Sequence, residues 1–305
     1  MTLQGETLAS RAVAHYRRAE LFSETTSEML RRWLLGCAWP LKPERIAGLP
    51  NLCRLWLAET INPVDGLPDP DRALANPAGL CGMARDLTVP TLVEAYRRGL
   101  YPFSHVGPLK WWSPPERCLL FFDESHLSRR LRSHLRQERY RVTFDRDFCR
   151  AMKACAAPRD GKWQLTWITP KIMRAYADLH DAGFAHSFEV WNAQGELAGG
   201  GYGVAVGNTF TIESRFRRES NASKIGLAVL NWHLARWGFA FIDNKGPNQN
   251  VLEMGFRMVP RAEFRAQLAT AGHAPSRVGR WQTEADLKTV ADWQPGDRAE
   301  QVVPT

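Results

Sequence analysis

The sequence predicts an α+β fold: a mixed β-sheet flanked by helices, with a small N-terminal domain and a helical N-terminal extension. Three observations predict it. Glu189 to Gly255 gives the order β-β-β-α-β. Residues 5–60 instead give amphipathic helical patterns, each broken at a Pro or Gly. Finally, 305 residues with 44% hydrophobic and 24% charged content are enough for a full core and about two domains.

In chain order, Leu8, Ala12, Val13 and Tyr16, and then Met29, Leu30, Trp33 and Leu34, mark the apolar faces of helices in the extension. These faces fit a helical cap packed on the body, and the other reading is a role in choosing the acceptor or a partner protein. Asn62 to Pro77 is rich in proline and aspartate and reads as a linker or extended arm. The expected division is an extension and linker over 1–73, a small domain over 74–115 and the main domain over 116–305. Leu92 to Gly99 is a short helix stopped by Gly99. Ser125 to Tyr140 is a basic helix: Ser125 is the expected cap, Leu127, Leu131 and Leu135 the buried stripe, and Arg129, Arg130, Arg132 and Arg136 an uninterrupted basic surface. A charge run of this kind is ordinarily a solvated face.

The main sheet then begins with a strand at Ser187 to Trp191, a turn at Gln194-Gly195, and a second strand whose glycines, Gly199 to Gly201 and Gly203, admit a close neighbour. A third strand, Asn208 to Glu213, alternates Phe210 and Ile212 against Thr209, Thr211 and Glu213. The polar loop Ser214 to Ser220 leads to a helix starting near Asn221, and a fourth strand over Phe239 to Asp243 closes the order.

A net charge of +8 favours an anionic partner. The six cysteines stand singly, with no CxxC pair or histidine cluster, so they read as reduced cytoplasmic thiols with no metal. No apolar run approaches the length of a membrane span, and no secretory leader is seen, so no membrane partner is expected.

These strands carry a set of collinear motifs: WWSP at Trp111 to Pro114, TWIT at Thr166 to Thr169, HSFEVW at His186 to Trp191, GGGYGV, Glu213-Ser214, NASK at Asn221 to Lys224 and FID at Phe241 to Asp243. Together they resemble the leucyl/phenylalanyl-tRNA–protein transferases over roughly Ala75 to Leu268. The resemblance implies a GNAT-like catalytic domain. It implies an enzyme that takes a hydrophobic aminoacyl group from aminoacyl-tRNA and passes it to an amine. The acceptor is a protein N-terminus, with a small-molecule amine as the alternative, and a non-catalytic tRNA- or protein-binding homologue is the third reading. No cofactor is implied. A CoA-dependent acyltransferase of this fold needs a glycine-bearing loop before the helix, and Arg215 to Lys224 has no glycine.

Such a transfer needs an ester carbonyl that is held and polarised, an uncharged amine aimed at it, and an exit for a proton. No Ser-His-Asp or Cys-His set stands at a recognisable spacing, which fits direct aminolysis of the tRNA ester. Asp243, which ends an apolar strand, is the first catalytic candidate: by the resemblance it forms a relay with position 245 beside the reacting amine, and Glu213 belongs to the same acceptor pocket, so the expected catalytic set is Asp243, Lys245 and Glu213. Lys245 stands where the family has glutamine, placing a cation where the family receives an N-terminal Arg or Lys. From the residues alone, Lys245 can pair with Asp243 or point to solvent, and Glu213 can pair with Arg215 or Lys245. Trp167, Phe103 and Phe210 match aromatics for the terminal adenosine and the donor side chain. Gly201 stands at a pocket floor where the family is bulkier, implying a wider donor pocket. Asn221 and Ser223 sit at a helix start that suits an anion or carbonyl oxygen, or simply caps it. The resemblance assigns the basic helix to the tRNA acceptor stem. Ala84-Arg85 departs from a paired glycine at that position.

Overall fold

The computed structural model describes residues 18, 20–38, 43–63, 65–105, 107–158 and 165–295, and the pattern at Leu8 to Tyr16 lies outside them. Helix α1 (Thr26–Ala38) starts at a capping box: Thr25 N–H donates to Glu28 Oε2 at 2.8 Å, and Glu28 N–H donates to Thr25 Oγ1 at 3.2 Å. The short α2 (Pro43–Ile46) and then α3 (Leu49–Ile61) complete the extension. Its helices are where the periodicity puts them, but their apolar stripe does not face the body. Met29, Leu30, Trp33 and Leu34 are exposed, and so are Trp56, Leu57 and Ile61 on α3. Point contacts hold the extension instead. Phe22 is buried in the body's core, Arg18 pairs with Asp181, and Glu59 accepts the Met83 N–H at 2.9 Å and pairs with Arg85 at 3.9 Å. Arg85, where the sequence departs from a paired glycine, is thus an anchor point for the extension.

Next come β1 (Leu80–Met83), α4 (Val89–Arg97), β2 (Tyr101–Phe103) and β3 (Lys110–Trp112), whose strands form an antiparallel sheet in the order β1-β3-β2. The remainder runs β4 (Glu116–Phe121), α5 (Arg129–Arg136), β5 (Arg141–Phe144), α6 (Phe148–Ala156), α7 (Pro170–Asp181), β6 (Ala185–Trp191), β7 (Leu197–Val206) and β8 (Thr209–Arg217). After these follow α8 (Ala222–Arg236), β9 (Phe241–Asp243), α9 (Gln249–Leu252), β10 (Arg257–Pro260), α10 (Arg261–Ala271) and α11 (Leu287–Asp292). The seven-stranded sheet has the order β10-β4-β9-β8-β7-β6-β5, parallel between β8 and β9 and antiparallel elsewhere. The expected α+β class and the β-β-β-α-β order are both present.

Several boundaries differ from expectation: β6 starts at Ala185 and β9 at Phe241, and two further differences have a visible local cause. Strand β8 runs on to Arg217 because Ser214 to Arg217 find partners on Tyr202 to Gly199, so the expected loop is half strand. The cap of α5 is Ser128, whose Oγ accepts the Leu131 N–H at 3.2 Å; Ser125 is buried at the end of a 3-10 turn. The leucine stripe Leu127, Leu131 and Leu135 is buried as its spacing requires.

The sheet separates two cores. Helix α8 covers one face, where Ile225, Leu230 and Leu234 meet Phe188, Phe210 and Ile212. Helices α4, α6 and α7 cover the other, gathering Tyr96, Phe148, Ile172, Tyr176 and Tyr202. The glycines of β7 permit this thickness. A Cβ on Gly203 would lie 2.3 Å from the Thr211 carbonyl oxygen and 2.6 Å from the Phe210 ring. Because one of those neighbours is backbone, Gly203→Ala is expected to cost about 1–3 kcal/mol or more of stability, read by urea unfolding. An unchanged unfolding midpoint would contradict this packing.

Candidate active site

Strand alternation puts Glu213 on the face opposite Phe210 and Ile212, and it lies there, on the side of Tyr96 and Tyr176. Tyr202 pairs with Ser214 and Gly203 with Ile212, so the ladder passes over Glu213 and leaves it unpaired in a bulge. Glu213 is buried: its Oε1 accepts from the Tyr96 hydroxyl at 2.8 Å and its Oε2 from Lys245 Nζ at 2.9 Å. The Tyr96 hydroxyl lies 2.5 Å from that of Tyr176. Burial, reinforced by the charge of Glu213, raises both phenols well above their ordinary range, so they stay protonated donors.

Asp243 ends β9 and is 1% exposed. Its Oδ2 pairs with Arg117 Nη2, and its Oδ1 accepts from Arg117 Nε at 3.2 Å and from the Lys245 backbone N–H at 2.7 Å. Arg117, also 1% exposed, gives its third branch to the Gly99 carbonyl at 3.0 Å and lies between the rings of Tyr101 and Phe264. Burial opposes the guanidinium charge, but Asp243 outweighs it and raises the pKa of Arg117. The Asp243 carboxylate therefore accepts from three donors, two of them on Arg117. What it visibly does is hold the backbone of Lys245, which adopts a left-handed φ of 63°.

That backbone turns the Lys245 side chain back over the sheet. Its ammonium sits 4.8 Å from the Tyr101 ring centroid and 5.3 Å from that of Trp167, besides its bond to Glu213. Two rings and a carboxylate form a cage suited to a cation. Of the partners open to Lys245 from sequence, the ammonium takes Glu213, and Asp243 takes only the amide. Trp167 in turn lies 5.7 Å from Phe103, so the aromatic pair expected to meet a nucleoside stands beside the charged group.

Other expected site residues lie elsewhere. Phe210 is packed in the core under α8, 5.7 Å from Trp281, and not beside Trp167, because its alternation puts it on the helix-covered face. Gly201 opens no wider pocket: a Cβ there would lie 2.7 Å from Phe188 Cζ and 2.6 Å from the Ser214 carbonyl. Asn221 does not cap α8 with its side chain. It takes a φ of 65°, and its Nδ2 is 3.1 Å from His134 on α5. Ser223 lies in the first turn of α8, where its backbone N is 3.0 Å from a Cβ built on Gly199. On α5, Arg129 and Arg130 are exposed, but Arg132 donates to the Ala291 carbonyl and Arg136 pairs with Asp292 at 2.6 Å. Half of the expected basic surface therefore secures α11.

Sequence reasoning missed Arg117 and Tyr176, and gave no side-chain role of their own to Tyr96 and Tyr101, although the resemblance puts the segment that carries them, Leu92 to Phe103, in support of the aminoacyl-adenosine site. Arg117 had a signal, a charge at the head of the apolar run Cys118 to Phe122; Tyr176 had none beyond its place in α7. If the Arg117–Asp243 pair is as described, Arg117→Met leaves a buried carboxylate unpaired and should cost about 3–5 kcal/mol, while Arg117→Met/Asp243→Leu should recover much of it. Denaturant unfolding checks this, and a loss below about 1 kcal/mol for the single variant would contradict it.

Among the described residues no helix is long and apolar enough to cross a membrane, and no group of three or more His, Cys, Asp or Glu is placed to hold a metal ion. Residues 119–269 match the family leucyl/phenylalanyl-tRNA protein transferase, and residues 85–115 match its N-terminal domain. The chain is 45% identical over 227 residues to the leucyl/phenylalanyl-tRNA–protein transferase of Azotobacter vinelandii, covering 74% of this chain and 94% of that one. The enzyme of that name from Pseudomonas syringae pv. syringae is 48% identical over 227 residues, covering 74% and 93%. That of Alkalilimnicola ehrlichii is 42% identical over 239 residues, covering 78% and 92%. A solved structure titled the structure of L-PGS from Bacillus licheniformis aligns at a TM-score of 0.30 and 12% identity, over 52% of this chain and 50% of that one, too distant to carry an argument. With identity of this order over nearly the whole length of these relatives, the chain belongs to the leucyl/phenylalanyl-tRNA–protein transferase family.

Proposed function

We propose that the chain transfers a hydrophobic aminoacyl group, such as leucyl or phenylalanyl, from aminoacyl-tRNA to the N-terminal amine of a protein, in the cytoplasm and on a GNAT-like domain spanning 116–305. The small domain over 74–115 supports the donor end, and the extension over 1–73 is an addition to both. The observation that carries this reading is the caged Lys245–Glu213 pair standing beside Trp167 and Phe103, in a chain of this family.

In this reading Trp167 and Phe103 hold the terminal adenosine. Arg129 and Arg130 meet the phosphates of the acceptor stem. The attacking amine forms the new C–N bond while the ester C–O bond breaks, and the ribose oxygen leaves. Glu213 accepts the proton from the amine and returns it to that oxygen, so the enzyme ends unchanged. Asp243, held by Arg117 and bonded to the Lys245 amide, is a positioning residue. The Lys245 ammonium partly neutralises Glu213 and fills the space between two rings, so an acceptor that begins with Arg or Lys meets a like charge in a partly dry site. Neutral or acidic acceptor termini are relatively favoured.

Labelled leucyl- or phenylalanyl-tRNA tests the reading: label should pass to peptide N-termini and not to small amines, and Glu213→Gln should abolish transfer. No transfer from either donor to any peptide would end it. Lys245→Gln should raise activity toward a peptide beginning with Arg; efficient use of that peptide by the unaltered chain, with no gain in the variant, would remove the claim about selectivity. Trp167→Ala should weaken an aminoacyl-adenosine analogue by about 1–3 kcal/mol, as much as it weakens whole tRNA, and a loss seen only with whole tRNA would make Trp167 structural.

A further inference from the structure

The extension carries tryptophans on its outside and two cavities beneath it. The cavities, of about 1040 and 460 Å³, lie side by side where α1 and α3 pass the segment between β2 and β3, and both walls include Trp56, Met83, Ser104, His105 and Pro108. They form one groove. On its extension side Trp33 lines the larger cavity and Trp56 both, 65% and 53% exposed, and Phe103 and Trp112 line the smaller cavity from the body side. The groove reaches the site already described, because Phe103 lines it and lies 5.7 Å from Trp167, and because Thr169 and Pro170 in its wall follow Trp167 by two and three residues. The family match begins at residue 85, so the extension wall lies outside the matched residues.

The charge of the walls is one-sided. Arg32, Arg45, Arg85, Lys110 and Lys171 line the two cavities, against one acidic residue, Glu24. Glu24 is taken by Arg32 at 3.0 Å, and Arg85 lies near Glu59. Burial lowers Lys110 to about 8, and an anion beside it would restore its full charge. An apolar peptide would strip water from these cations and return nothing, and an acidic peptide would leave the indoles uncovered. Cations interleaved with flat aromatic rings suit a strand that offers phosphates and bases together.

We propose that this groove binds single-stranded RNA, namely the unpaired strand of the donor tRNA that leads to the reacting ester. The extension is then one wall of an RNA channel that ends at the Phe103–Trp167 pair. The identity of the RNA rests on the proposed function, while the binding of a single strand does not.

The test uses the full chain and two probes, a fluorescent single-stranded RNA of about eight nucleotides and an aminoacyl-adenosine as minimal donor. Trp33→Ala/Trp56→Ala alters exposed side chains remote from the reacting groups. It should weaken the RNA at least tenfold and raise KM for whole aminoacyl-tRNA, while transfer from the minimal donor is unchanged. Lys171→Ala should lower the salt slope of RNA binding by about one. RNA affinity unchanged in the tryptophan variant would overturn the proposal, as would an RNA duplex or an acidic peptide competing as well as the single strand. An equal loss with the minimal donor would also overturn it, since the tryptophans would then act on the site as a whole. Failure of the unaltered chain to use either donor would sink the transferase reading, and the RNA titration would still decide the groove.

Discussion

A chain of buried charges organises this site: Arg117 to Asp243, Asp243 to the amide of Lys245, and the Lys245 ammonium to Glu213. Burying any one of these alone would cost several kcal/mol. Each is therefore tolerated only because the next is in place. Arg117 comes from β4, Asp243 from β9 and Glu213 from β8, three adjacent strands, so the sheet order itself sets the spacing of the charges. The left-handed turn at Lys245 closes the circuit, and the rings of Tyr101 and Trp167 shield it.

This arrangement separates roles that a sequence motif merges. Asp243 looks like the reactive carboxylate because it ends an apolar strand, yet the three donors it accepts from belong to Arg117 and a backbone amide. Glu213 accepts from the Tyr96 hydroxyl and from the Lys245 ammonium, which itself stands over Trp167. An ammonium already in the cage also sets what an incoming molecule can bring. On the proposed function, selectivity and proton transfer are linked through one hydrogen bond, Lys245 to Glu213.

Much of the fold was legible in the sequence because period is a local property. The alternation of Phe210 and Ile212, the apolar face of α8 and the leucines of α5 all lie where their spacing puts them. The site was legible only in part. The bulge at Glu213 is a matter of register between strands, which periodicity does not record. Arg117 finds Asp243 across 126 residues, and Arg136 finds Asp292 across 156, so neither pair shows in a window along the chain. Asn221 misled for another reason: its residue type suits a cap, but its left-handed backbone sends the side chain to His134. In the extension, helix period was read correctly and its direction was not, since the exposed Trp33 and Trp56 border a groove in place of a core.

The central claim is that the Lys245 ammonium is held in a closed cage by Glu213, and lysine side-chain nitrogen NMR tests it most directly. In protein labelled with 15N-lysine, the Lys245 ammonium, identified by its loss in Lys245→Gln, should give a sharp resonance with slow proton exchange. Glu213→Gln should speed that exchange at least tenfold. An ammonium that exchanges as fast as the surface lysines, and is indifferent to Glu213→Gln, would show that the cage is not formed in solution and would contradict the account.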